Sequence, residues 1–514
     1  MNKQKDIKMK NSMIYKMIIV LALITAFTAC KKDWLDVAPI GKLSEADFYK
    51  TDEDATSALM AAYDILQWMH ARDWNSAYLV KTFPSDESNT GGGDSGDQPP
   101  FQELDVFTYS SNNATITAVW QSNYFGIYRA NKVINRVIAE NDYRNQVIAE
   151  AKFLRAFYYM EIVSMFGTGP LILSEPAPSE YGQPFASADQ IYAQIETDLK
   201  EAMAVLPPKS GYGPDDIFRA TRGACQALLG KAYLYQERWN EAITEFNKVI
   251  NSNEYQLQDD FSTLFLNESE YGVESIFEVS YVNTEGYDWG TFQWGGNRAM
   301  ENNITWQLTG PRADFFQAGS TGIIGGWGFN YPKQNLYDTY IDAGDEVRRT
   351  ATFLSLQELR DLGGDWTNED AWGWDGFIRV KYTTFADETG SPVGELNYGT
   401  NLRLLRFGDV LLMAAEAHYR AGNEGAALVE LNKVRARAEL PAIQVSGNAL
   451  FDAIVKERKM ELAFEGVRFL DLIRWGLADD MLSEYGYIEG KHNLYPIPAD
   501  EMRSNPNAVQ NPGY

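Results

Sequence analysis

The sequence predicts a mainly α-helical fold, a scaffold of paired helices carrying one large, irregular, loop-rich insertion with short strands. Three observations predict it. Apolar residues recur at spacings of three and four over most of the chain, the period of a helix with one buried face. A helix-pair pattern occurs twice, about 185 residues apart. Between the two occurrences, over residues 271–400, glycine, asparagine and aromatic residues rise and helical periodicity fades.

The chain opens with basic residues through Lys16, followed by an uncharged apolar run of thirteen residues, 17–29. A helix crossing roughly 30 Å of hydrocarbon needs about 20 residues, so this run is too short to span and fits a signal-peptide core. It ends Phe27-Thr28-Ala29-Cys30, which resembles a bacterial lipobox, with Phe27 where Leu, Val or Ile is more usual. That resemblance implies removal of residues 1–29 and acylation of Cys30 through its sulfur and amino group. Several acyl chains together give lasting attachment to membrane lipid where one would be marginal.

Helices are expected over residues 55–68, 120–139, 145–166 and 191–205, the third ended by Gly167-Thr168-Gly169-Pro170 and the fourth by Pro207-Pro208. Leu229-Gly230-Lys231-Ala232-Tyr233, then Trp239-Asn240-Glu241-Ala242-Ile243 and Phe246, follow the tetratricopeptide pattern. Small Gly230 and Ala242 allow two helices to approach, and Tyr233, Trp239 and Phe246 fill the wedge. Glu237 stands where that pattern prefers glycine, so a different turn is expected. The echo lies at residues 414–428 (AAEAHYRAGNEGAAL). With so much chain between them, the two pairs are not read as a tandem solenoid. The insertion shows strand-like pieces such as residues 275–279 and holds seven of the thirteen tryptophans. The expected organisation is therefore a signal peptide (1–29), a tetratricopeptide-like helical region (30–270), an aromatic-rich ligand-binding insertion (271–400) and a helical carboxyl-terminal region (401–514).

The formal charge is −26, and the first sixteen residues carry +4, so the remainder sums to −30. A surface that acidic repels nucleic acid and anionic lipid, which sets both aside as partners of the folded part. Cys225 lies in a helical apolar stretch and is read as a small buried hydrophobe, leaving Cys30 for the lipid.

Several motifs in order resemble the SusD/RagB family. They are Trp34-Leu35-Asp36-Val37-Ala38-Pro39, Tyr128-Arg129-Ala130-Asn131-Lys132-Val133-Ile134, residues 150–159 (EAKFLRAFYY), residues 457–475 (ERKMELAFEGVRFLDLIRW), Tyr495-Pro496-Ile497-Pro498 and Gln510-Asn511-Pro512-Gly513-Tyr514. The resemblance implies a tetratricopeptide-like scaffold with an irregular ligand face. It implies a lipid-anchored, surface-exposed protein of the cell outer membrane that captures oligosaccharide for a SusC-like TonB-dependent transporter. Some relatives take peptide instead, which is the rival binding mode.

The enzyme-like feature is the acid pair Glu461 and Glu465. Four apart, they are expected to share one helix face, with Arg458, Arg468 and Arg474 recurring at helical spacing. A glycosidase needs two carboxylates about 5–10 Å apart across a bond, one of them with a raised pKa. Neighbouring arginines lower carboxylate pKa values, so these residues are read as a structural ion ladder and the protein as a non-enzyme. The histidines His70, His418 and His492 share no metal-ligand spacing. Residues 85–97 carry oxygen ligands enough for calcium but lack the EF-hand spacing, so the stretch is read as a solvated loop and no cofactor is expected.

The candidate ligand contacts are aromatic, because pyranose C–H faces stack on indole and phenol rings while hydroxyls need flanking amides and carboxylates. They are Tyr287, Trp289 and Trp294 with Asn297, then Trp327 between glycines, then Trp372 and Trp374. Trp74 and Asp86 are expected to form an opposite wall. Trp120, Trp239 and Trp475 fall on helices and are assigned to packing.

Overall fold

The computed structural model describes residues 48–71, 73–177, 180–292 and 301–514, with five isolated positions before them (9, 13, 14, 16 and 17). Met1–Asp54 and Ala55–Tyr514 are separate units. In the first, the Asp54 carboxylate accepts the backbone N–H groups of Lys50 and Thr51, at 3.1 Å each. The second holds the helical scaffold and the insertion.

Capping sets the helix boundaries. Helix α1 (Asp52–His70) buries Ala55, Ala58, Leu59, Ala62, Ile65 and Leu66, the stripe its spacing predicts. Helix α2 (Ala114–Arg136) starts on Asn113, whose side chain accepts the N–H groups of Thr115 and Ile116. Helix α3 (Asp142–Phe166) starts on Asn141 and ends at Gly167, φ 72°. A Cβ on Gly126 of α2 would come within 2.3 Å of the Tyr158 ring of α3, so glycine sets how closely these helices pack. Helices α4 (Ala188–Met203), α5 (Arg222–Tyr235) and α6 (Trp239–Ile250) continue the series, each packed on the one before.

The tetratricopeptide expectation for α5 and α6 is met in detail. A Cβ on Gly230 would lie 2.5 Å from the Phe246 ring, so the glycine makes room for the aromatic wedge. The turn is not altered by Glu237, contrary to expectation. Glu237 itself takes the left-handed conformation, φ 58°, just as Gly422 does in the second pair at φ 79°. That second pair is α7 (Phe407–Arg420) and α8 (Glu424–Arg437), followed by α9 (Asn448–Glu461).

The separation in sequence misleads about space. Helix α7 packs on α6 as well as on α8, so the two pairs stack as one series. Strand pairing makes this so. Of the strands, β1 (Ser88–Gly91), β2 (Ser275–Val279), β3 (Phe329–Pro332) and β4 (Leu402–Arg406) matter most here. The insertion leaves through β2 and returns through β4, and these two pair antiparallel, Leu402 opposite Val279 and Arg406 opposite Ser275. The insertion is thus looped out of a continuous helical stack. It has its own core, in which Trp366, Ile378, Leu359, Ile323 and Tyr331 are buried together.

The ion ladder is structural, but its wiring differs from the expected one. Helix α9 ends at Glu461, and Glu465 sits in the following turn, where Phe464 (φ 58°) and Gly466 (φ 71°) reverse the chain. Glu461 and Glu465 therefore share no helix face. Glu461 receives Arg348 (2.9 Å), Arg406 (2.6 Å) and Arg437, all from other elements. Glu465 receives Arg406 and Lys381, at 2.7 and 2.6 Å. Arg458 instead bonds Asp409 and Asp471, and Arg474 bonds Glu416 and Asp471. Burial alone would raise the Glu461 pKa; the guanidiniums of Arg437, Arg406 and Arg348 outweigh it and hold the carboxyl well below its usual range. Removing one partner of a buried ion group leaves an uncompensated charge. Glu461→Ala is expected to lower unfolding free energy by about 3–5 kcal/mol, read as a fall in urea midpoint. A loss under about 1 kcal/mol, the scale of an exposed pair, would show the cluster to be dispensable.

Candidate functional site

Trp74 lies on a single 3₁₀ turn, Asp73–Asn75, directly after α1. Its carbonyl accepts the Thr115 hydroxyl at 3.2 Å, which ties the turn to the first residues of α2. Its ring stacks on Trp327, centroids 5.4 Å apart and planes 24° from parallel. Phe101 and Phe329 pack against Trp74 at 6.2 and 6.0 Å. Both indoles are half-buried, so each is fixed by packing yet keeps accessible surface.

The glycines around Trp327 are needed for close backbone approach. A Cβ on Gly326 would meet Gly310 Cα at 2.6 Å. One on Gly328, at φ 77°, would meet the Tyr331 hydroxyl at 2.3 Å. The strand is instead sewn down by the Trp327 and Gly328 N–H groups, donating to the carbonyls of Gln307 and Gly310 at 2.9 Å each.

The glycine run Gly91-Gly92-Gly93 joins this pair to a third indole. Gly92 donates its N–H to the Gly328 carbonyl at 2.6 Å, and a Cβ on Gly373 would sit 3.0 Å from Gly91 N. Trp327 and Trp372 therefore flank the same loop. Trp372 is 46% exposed, and its indole N–H donates to Gln102 Oε1 at 3.0 Å. Gln102 in turn donates to the carbonyls of Gly91 (2.9 Å) and Asp97 (3.0 Å), so one amide aligns both the loop and the indole. Polar groups border the same loop: Asp97 accepts the Gly93 N–H at 2.8 Å, and Arg312 is 4.0 Å from Asp97 and donates to the Trp327 carbonyl.

Tyr287 is held at three points. Its N–H donates to Asn397 Oδ1 at 2.9 Å, its carbonyl accepts from Asn397 Nδ2 at 2.9 Å, and its hydroxyl accepts the Glu301 N–H at 3.0 Å. It packs with Trp327 on the cluster of Phe292, Ile304 and Leu396. Trp289, two residues on, is 54% exposed. Tyr287, Trp327 and Trp74 are thus brought together, with Trp372 across the glycine loop.

Two expected contacts are elsewhere. Trp374 is only 8% exposed and stacks on Trp366 at 3.9 Å in the insertion core. Gly373, φ 69°, turns the chain between it and Trp372, so neighbours in sequence part company. Asp86 forms no outer wall. It is buried against Lys459 (2.9 Å) and Arg468 (2.8 Å), because a carboxylate there neutralises two cations of the carboxyl-terminal signature. Cys30, Trp294 and Asn297 lie outside the described residues. Sequence reasoning does not reach Gln102 or Arg312; the run of three glycines ahead of Gln102 is the one signal in the primary structure that points there.

Glu87, next to Asp86, is buried with Oε1 unpaired and Oε2 accepting the Phe464 N–H at 3.3 Å. Burial, and then the Asp86 charge, push its pKa up to about 8.

Comparison with known proteins places the chain. The model of the SusD family matches residues 273–494, and one described as starch-binding, associating with outer membrane, matches residues 33–234. SusD-like protein P38 of Formosa agariphila is 25% identical over 96% of this chain and 98% of its own length. A laminarin-binding SusD-like protein of known structure has 33% identity and a TM-score of 0.81, over 91% of this chain and 100% of its own. Surface glycan-binding protein A from Bacteroides thetaiotaomicron, solved in complex with laminarihexaose, has 26% identity and a TM-score of 0.77, over 90% and 100%.

The geometry around Glu87 and Gln102 can be tested directly. Between the ordinary carboxyl value of 4.5 and about 8, native Glu87 holds a proton that the unfolded chain has lost. Its contribution to stability is complete below the lower value and disappears as pH rises through the upper one. Glu87→Gln is expected to flatten the decline of the urea midpoint across that window, and equal slopes would refute the assignment. Gln102→Ala is expected to broaden or shift the Trp372 resonance in 5-fluorotryptophan-labelled protein while changing stability by only about 1 kcal/mol. An unmoved resonance would show that the amide does not hold the ring.

Proposed function

The chain belongs to the SusD family, and from that premise we propose that it is a glycan-binding protein of the outer membrane whose ligand lies on the Trp74–Trp327 platform. The observation that carries this reading is a set of indoles held by packing and hydrogen bonds that still keep accessible surface. Trp74 and Trp327 are fixed as a stacked pair, and Trp289 and Trp372 are exposed. Sugar rings offer C–H faces to such indoles, and rings already ordered lose little entropy on binding. Asp97 and Arg312 supply an acceptor and a donor for hydroxyls. A net charge of −26 favours a neutral glycan over a sulfated or uronic one. The laminarin- and laminarihexaose-binding relatives make a neutral glucan the first ligand to try.

In this reading the protein is tethered to outer-membrane lipid through acylated Cys30 and passes its ligand to a SusC-like TonB-dependent transporter. It performs no catalysis and calls for no cofactor. Glu461 and Glu465 are buried and ion-paired, with low rather than raised pKa, so neither can serve as a general acid toward a surface ligand. Capture of peptide would call for a deep groove edged by backbone donors, whereas the exposed indoles support a platform.

Calorimetric titration with laminarihexaose is expected to show binding that Trp327→Ala weakens about tenfold or more, or about 1.4 kcal/mol, with a smaller loss for Trp289→Ala. Binding that neither change weakens would move the site elsewhere. New reducing ends on prolonged incubation would overturn the non-catalytic reading.

A further inference from the structure

A second concave surface lies apart from the platform. One wall is α2, on which Trp120, Tyr124 and Tyr128 recur every four residues and so share one face, with Phe125 beside them. Trp120 is buried and packs on Tyr124 at 4.9 Å, backing the exposed rings rather than contacting solvent. Phe125 is 39% and Tyr128 43% exposed, which is large for aromatics on a scaffold helix. The other wall comes from the segment around Gly182 and from the carboxyl-terminal helix, Ala499–Ser504. Between the walls is a cleft of about 950 Å³, at the upper end of small-molecule sites.

The cleft is preformed. Asn505 Nδ2 donates to the Gln183 carbonyl at 2.9 Å, and Asn507 Nδ2 to the Gly182 carbonyl at 2.8 Å, so the tail pins the opposing loop. Gly182, at φ 76°, admits the tail: a Cβ there would lie 3.1 Å from Pro506. The Tyr124 hydroxyl donates to the Pro170 carbonyl at 3.1 Å, fixing the segment at Pro170 to α2. Lys132 Nζ lies 4.9 Å from the centre of the Tyr128 ring and restrains it.

The chemistry of the rim selects the ligand. Glu180, Asp500 and Glu501 line it, and the lining cation, Arg129, is already paired with Asp64 at 2.7 Å. Carboxylates accept hydrogen bonds from hydroxyls and repel anions, and Gln121 offers an amide that can donate or accept. Aromatic faces beside acceptor-rich polar groups are what a neutral sugar needs.

We infer that this cleft is a second subsite for neutral oligosaccharide, held by Phe125 and Tyr128 and separate from the Trp74–Trp327 platform. The inference rests on the reading that the chain binds glycan, and it adds that one molecule engages two sugar segments. Two moderate sites on one body raise the effective affinity for a long polysaccharide beyond that for a short oligosaccharide.

The test is calorimetry with laminarihexaose on the mature full-length protein, comparing wild type, Trp327→Ala, Phe125→Ala/Tyr128→Ala, and all three changes together. Both cleft residues are exposed on a helix where alanine is well tolerated, and circular dichroism melts check folding. The expected result is two binding sites in wild type, of which Trp327→Ala and Phe125→Ala/Tyr128→Ala each remove a different one, and none in the triple variant. Loss of about tenfold at one site in the cleft variant, with the Trp327-dependent site unmoved, supports the subsite. One site in wild type, unchanged by Phe125→Ala/Tyr128→Ala, overturns it while leaving the platform intact. Binding lost in the cleft variant but not in Trp327→Ala would uphold the cleft and overturn the platform. Absence of any binding would overturn both.

Discussion

Arg406 is the last residue of β4, where the insertion rejoins the helical stack, and its guanidinium meets carboxylates from three parts of the chain. It reaches Glu274 at 2.6 Å just before β2, Glu461 at 2.6 Å at the end of α9, and Glu465 at 2.7 and 2.8 Å in the turn beyond. Arg348 of the insertion and Arg437 of α8 share Glu461 with it. These groups are buried, where each ion's desolvation is costly and is offset only when every partner is in place. The arrangement therefore admits few alternatives. It fixes the exit and return of the insertion against the carboxyl-terminal helices, and the pairing of β2 with β4 follows the same boundary.

With the boundary fixed, the aromatic platform proposed for ligand can be built from pieces remote in sequence. Trp74 comes from the turn after α1, Trp327 from the approach to β3, and Trp372 from a later loop. The pairing of β1 with β3, Ser88 opposite Pro332 and Gly91 opposite Phe329, draws them together. Glycines carry the contact points because a side chain at Gly326, Gly328 or Gly373 would meet backbone or ring atoms at or within about 3 Å. Gln102 then converts that backbone proximity into a defined ring orientation. The rings are spared from the core because the core is made by others: Trp366 with Trp374 in the insertion, and Trp306 stacked on Tyr382 at 4.5 Å.

Much of the scaffold is legible in the primary structure. The stripe of α1, the tetratricopeptide pairs and the strand at 275–279 appear where their periodicity puts them. The site is legible as a region rather than as a set of residues. Trp372 and Trp374 share Gly373 as a neighbour, yet one is exposed and the other buried, since a positive φ at Gly373 separates them. Asp86 reads as a surface acid because its two cationic partners lie more than 370 residues away. Gln102 has no distinguishing mark beyond the glycines before it.

The sequence alone determined what local interactions decide: which segments are helical, where they stop, which small residues allow two helices to touch, and to which family of chains these motifs are akin. Tertiary structure alone decided that the two separated helix pairs stack as one, that Glu461 and Glu465 part at a helix end to serve different arginines, and which indoles face solvent. The physical reason is range. Periodicity and capping act over about four residues, whereas burial and ion pairing are settled by groups that only the folded chain brings within a few ångströms.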